Sequence, residues 1–166
     1  MMADAMRARR YRHVPAIVLL LSGCIESRAQ APSRVANIER AAEEIAVIHD
    51  RDGNDGAAAA IAVCYQRELL QASKLTPGLE ACMAQDIIVA KKSAGLYALL
   101  SPDQRKKAGL LEPDEVTRAI ARRIFWILSK LGIPEQDARA FNRIVQMEGM
   151  NAYARVQFPK EFLRNK

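Results

Sequence analysis

The chain has 166 residues, a formal charge of +6 and a hydrophobic half with only 5% aromatics, which is enough for one modest domain with a real core. The positive balance invites a nucleic-acid reading, but Arg7, Arg9, Arg10, Arg12 and Asp4 all lie within residues 1–23. Without that segment the charge falls to +3, and the remaining basic rows have almost no interleaved aromatics, so nucleic acid is excluded as an expected partner.

The four arginines precede an apolar run from Val14 to Leu21 that is too short to span a bilayer. A basic start followed by a short apolar run reads as a secretory signal over residues 1–23, and a start at Met2 or Met6 would leave that address unchanged. The run closes on Leu21-Ser22-Gly23-Cys24, which resembles the lipobox of bacterial lipoproteins, where a branched residue and two small ones precede a cysteine that receives a diacylglyceryl group. The resemblance implies that Cys24 becomes the lipidated first residue of the mature chain. It places the protein in the cell envelope on the periplasmic side, and the lack of aspartate after Cys24 points to the outer membrane. It covers the signal only, and the mature part resembles no known family. The competing site, Ala29-Gln30-Ala31, has the small-x-small form cut by the ordinary signal peptidase and would give a soluble periplasmic or secreted product. Pro32 follows it, a poor residue just after a scissile bond.

Residues 24–33 are short, polar and broken by Pro32, as a tether requires. Ser33 is a suitable N-cap for a helix over 34–49, in which Val35, Ile38, Ala42, Ile45 and Ala46 recur at helical spacing. The next stretch, 49–56, places Asp50, Asp52 and Asn54 on the first three ligand positions of a calcium loop. Asp55 then stands where the turn glycine belongs and Ile61 where the bidentate glutamate belongs, so a plain turn is expected.

A second helix over 57–71 carries Ile61, Cys64, Tyr65 and Leu69; Thr76 and Pro77 open a third over 77–99. In an oxidising envelope compartment Cys64 and Cys82 are expected to be bridged. Cys64 lies seven residues before the end of one expected helix and Cys82 five after the start of the next, so antiparallel packing brings them level to within about 3 Å. Asp86 falls within the apolar stripe of the third helix. A carboxylate there is costly unless paired, and an arginine from a later helix is the expected partner.

Ser101 and Gln104 frame a short helical turn closed by Gly109, whose triplet Arg105-Lys106-Lys107 reads as a solvated face. The helix expected over 113–131 starts at Pro113 with Asp114 and Glu115 and stops at Gly132. Its stripe of Val116, Ile120, Ile124, Ile127, Leu128 and Leu131, widened by Phe125 and Trp126, predicts a helix central to the core. A further helix starts at Pro134 and ends before Gly149, and a short one follows over 151–156.

Together these elements predict an all-α bundle of five or six helices with one disulfide: a helical domain over 34–158 and a tail over 159–166. The mature chain has one histidine, His49, read as an exposed helix-end residue; it leaves serine triads without a well-placed base. Adjacent acids at Glu43-Glu44 and Asp114-Glu115 point in different directions, and no phosphate loop or metal-ligand spacing occurs, so no cofactor and no metal are expected. The expected function is non-enzymatic: an envelope lipoprotein, attached to the membrane through lipid at Cys24, that binds a protein partner as an accessory, inhibitor or immunity protein. The alternatives are a structural or stress-related periplasmic protein without a specific partner, and an enzyme using Asp86 or His49.

Overall fold

The structure, a computed structural model, describes residues 33–107 and 110–160. The expected signal peptide, the lipidation residue Cys24, all of the tether but Ser33, and residues 161–166 of the tail lie outside them. Among the described residues every regular element is helical.

Helix α1 spans Arg34–Leu69, and the Ser33 hydroxyl caps it by accepting the Ala36 amide at 3.2 Å. The turn expected over 49–56 is present as a reversal at Gly53 within this span: Asn37 in the first arm reaches the Pro77 carbonyl at 2.8 Å, while Cys64 in the second arm is bonded to Cys82, only five residues further on. Only Gly53 leaves helical geometry, at φ 69, a left-handed value that glycine adopts without penalty. Its turn-forming residues fit that reversal, and Ala46 before it and Ala57 after it are both fully buried, so the two arms pack on one core.

Helix α2 spans Pro77–Leu99 and is capped by Thr76, whose hydroxyl accepts the Leu79 amide at 3.1 Å. The disulfide Cys64–Cys82 joins α1 to α2 with Cα atoms 5.6 Å apart. Because α1 ends at Leu69, each cysteine lies five residues from the hairpin, and the two come level. Every residue from Cys82 to Ile88 is buried, the pattern of a helix covered on several sides. Both arms of α1 pack against it, as do α4 and the segment after α5. The centre of the molecule is therefore α2.

Helix α3 (Pro102–Lys107) is short and leads towards α4 (Pro113–Lys130). Here the structure departs from the expectation of a central helix. In α4 only Ile127 and Leu128 are buried, while Phe125 and Trp126 are 72% and 55% exposed. The reason is geometric: α4 meets α2 along one edge, and no helix among the described residues covers the rest of its apolar stripe.

Helix α5 (Glu135–Ile144) passes into a π-helical turn, Val145–Gly149, and then into α6 (Met150–Gln157), which returns to α1. At the turn a Cβ on Gly149 would lie 3.2 Å from both Ile38 and Ile88, so the missing side chain lets three segments meet. Tyr153 on α6 is buried, and Gln157 donates to the Ala46 carbonyl at 3.0 Å, tying α6 beside the reversal.

Candidate functional site

Three features carry the polar or open chemistry of the described residues: the Asp86 cluster, the His49 cluster and an apolar groove.

Asp86 is buried on α2. Its Oδ2 accepts from Arg123 Nη1 of α4 at 2.8 Å and from the Tyr65 hydroxyl of α1 at 3.2 Å, so one carboxylate ties three helices together. Burial pushes its pKa above the ordinary aspartate value, opposed by the Arg123 charge and the Tyr65 hydrogen bond. Burial, reinforced by the neighbouring carboxylate, also pushes Tyr65 well above the usual phenol range. The Oδ2 contacts thus help hold the bundle together, and neither Asp86 nor its two partners line the groove described below.

His49 is half-buried at the reversal rather than exposed as expected. Its Nε2 lies 2.8 Å from the Asn54 Oδ1 and its Nδ1 lies 3.0 Å from the Tyr153 hydroxyl. The ring therefore bridges the two arms of the reversal and α6. Burial and the nearby Asp50 push the Tyr153 phenol up to about 12. Lys92 sits 6.0 Å from the Tyr153 ring centroid and 5.2 Å from that of Phe158. Asp50 and Asp52 stand on helical backbone, and Asp52 pairs with its neighbour Arg51 at 2.6 Å. Among the described residues no group of three or more His, Cys, Asp or Glu side chains is placed to hold a metal ion.

The groove, of about 560 Å³, opens between α2, α4 and α5. Helix α2 supplies Ile87, Ala90, Lys91 and Ala94 at helical spacing. From α4 come Ile120, Ala121, Ile124, Phe125 and Leu128, the same apolar stripe that the fold leaves uncovered. Ile133, Ala138 and Phe141 close the far end. Polar side chains stand around the lining: Thr117 and Ser129 at opposite ends of the α4 wall, and Asn142 and Gln146 from α5 and the π-turn. Such extra-residue turns occur often at functional sites. Trp126 does not line the groove; Lys130 stacks on its ring at 4.9 Å.

The basic triplet of α3 divides in the structure. Arg105 bonds the Tyr97 carbonyl at 2.8 Å and lies over the Tyr97 ring at 4.1 Å, while Lys106 and Lys107 are exposed. A hydrogen bond to Glu112 raises the Tyr97 pKa and links the end of α2 to the start of α4. Glu43, Glu44, Asp114 and Glu115 are all exposed.

Sequence reasoning did not single out Asn37, Glu80 or Gln85, which are buried polar residues at the α1–α2 contact. Arg34 pairs with Glu80 at 2.7 Å, Asn37 donates to the Pro77 carbonyl at 2.8 Å, and Gln85 donates to the Ala41 carbonyl at 3.3 Å. Nor did it foresee the groove, although Ala90 and Ala94 beside the α4 stripe are its sequence trace. Compared with known proteins, the chain matches no family model, no curated protein and no solved structure.

Proposed function

We infer that the chain is a non-enzymatic binding protein of the bacterial cell envelope, tethered by lipid at Cys24, whose groove between α2, α4 and α5 receives a segment of a protein partner. One observation carries this reading: an apolar lining of about 560 Å³ is left open beside an exposed Phe125. Leaving that surface in water costs free energy that a partner recovers on binding, at about 25 cal/mol for each Å² covered. The fixed hydrogen bonds of Asp86 and His49 support the same conclusion, since both side chains are held in the fold away from the groove.

Photo-crosslinking in cells tests the reading. A benzophenone residue at Ala121, in the groove, is expected to trap a discrete envelope protein that the same probe at Val47, exposed on α1, does not. Equal labelling at both positions, or none at Ala121, would remove the function. The anchor is tested separately by mass spectrometry of the membrane fraction. Diacylglyceryl on Cys24 is the expected result, and an unlipidated N-terminus at Pro32 would refute it.

A further inference from the structure

This inference rests on the groove being a partner-binding surface, and it concerns what the partner presents there. We propose that the occupant is an amphipathic α-helix of the partner, apolar on the face that enters the groove and acidic along both flanks.

Length is the first argument. The groove-lining residues of α4 run from Thr117 to Ser129, twelve residue steps, or about 18 Å at about 1.5 Å per residue. That is the reach of a helix presenting apolar anchors at i, i+4, i+7 and i+11. The floor fits the same shape. Ala90, Ala94, Ala121 and Ala138 alternate with larger aliphatic residues, leaving recesses that let a second helix approach to about 8–10 Å between axes.

Charge supplies the chemistry of the flanks. Arg118, Arg122, Phe125 and Ser129 form one row along α4 at spacings of four, three and four, and Phe125 and Ser129 line the groove, so the two arginines stand on its outer edge. Lys91 stands on the α2 wall opposite. The hydrogen bonds of Arg118 and Arg122 go to the backbone carbonyls of Asp114 and Arg118. None of the three cations forms an ion pair with a carboxylate among the described residues. The acid that lines the groove, Glu135, is already matched by Arg139 at 2.7 Å. An apolar floor bounded by unmatched cations on both long edges favours an apolar rod with negative edges. A single-chain lipid would place its one charged head at one mouth, and cations on both walls do not serve that arrangement.

The test uses a display library of helices of about 20 residues, apolar on one face and randomised among Glu, Gln and Lys at the flanking positions, selected on the full-length mature chain. Glu is expected to be enriched at the flanks. The double variant Arg118→Glu/Arg122→Glu should reverse that preference towards Lys on the α4 side. Ala121→Phe, which fills the floor, should weaken every selected helix by about tenfold or more, with an unchanged unfolding midpoint showing that it still folds. Flanks without charge preference, a preference unmoved by the double variant, or no enriched helix would each overturn the proposal. So would saturable uptake of a fluorescent C16 fatty acid, blocked by Ala121→Phe, in a chain that selects no helix. Failure here alongside a specific Ala121 cross-link would leave the binding function standing and refute only the acidic helix. Failure of the cross-link removes both.

Discussion

The half built on α1 and α2 and the half built on α4 and α5 are both helical and end differently: α2 is apolar on several sides, whereas α4 carries its apolar residues along one stripe. In α2 the run from Cys82 to Ile88 is buried without a break, enclosed by α1, α4 and the π-turn and joined to α1 by the disulfide. In α4 only Ile127 and Leu128 reach that state. A stripe becomes core only when elements cover both of its sides, and α4 has α2 on one side only. The first half therefore holds the stability of the molecule, and the second is free to present apolar surface.

The sharpest test of that division is a pair of truncations. Met83→Ala, at a fully buried position in α2, is expected to lower the unfolding free energy by about 3 kcal/mol, and Ile124→Ala, half-buried on the groove wall, by about 1 kcal/mol. Urea unfolding measures both, and similar costs would mean that the two halves are equally closed. The disulfide belongs to the first half alone. Replacing Cys64 and Cys82 together with alanine releases a constraint across 18 residues and should cost about 3 kcal/mol on the chain-entropy view. Helix-in-groove binding by the folded fraction should be retained, and its loss at low denaturant would show that the groove depends on the staple.

These two halves also mark what could be read in advance. Ser33, Thr76 and Pro77 give local signals whose physics is complete within four residues, so the starts of α1 and α2 follow from the sequence. The level placement of Cys64 and Cys82 follows from helix rise and needs only the hairpin. The reversal within 49–56 is legible in its turn residues, whereas its tightness is not, since Gly53 alone leaves helical geometry. Ala46 and Ala57, both fully buried, hold the two antiparallel arms on one core. The openness of α4 was not legible at all, since periodicity identifies an apolar face but not what covers it. His49 was misplaced for a related reason: its second partner, Tyr153, is 104 residues away.

Arg123 is the tie between the halves, the one point among the described residues where α4 reaches a buried carboxylate of α2. Arg123→Ala leaves Asp86 with only the Tyr65 hydroxyl, at an expected cost of about 1–2 kcal/mol, moderated because the arginine is itself 45% exposed. A larger effect on helix binding than on unfolding would show that the tie sets the width of the groove. An unfolding cost near zero would show that α4 is held by its apolar contacts alone.

The smallest expected effect is the most specific to this tie, because it asks whether burial or the arginine governs the Asp86 charge. Burial places its native pKa above the ordinary value of 3.8, so between those two values the native state binds more protons than the unfolded chain. Stability contributed by Asp86 is then full below the unfolded pKa and is lost as pH rises through the native one. Asp86→Asn removes the titration while keeping an acceptor for Tyr65 and Arg123. Acidification through that window should accordingly raise the stability of the natural chain relative to the variant, by less than about 1.4 kcal/mol per pH unit, the limit for one proton. Urea midpoints of both proteins from pH 6 to 4 measure this. If the natural chain instead loses ground as the pH falls, the Arg123 charge outweighs burial, and the contact between the halves is an ion pair that acid breaks rather than a buried acid that acid relieves.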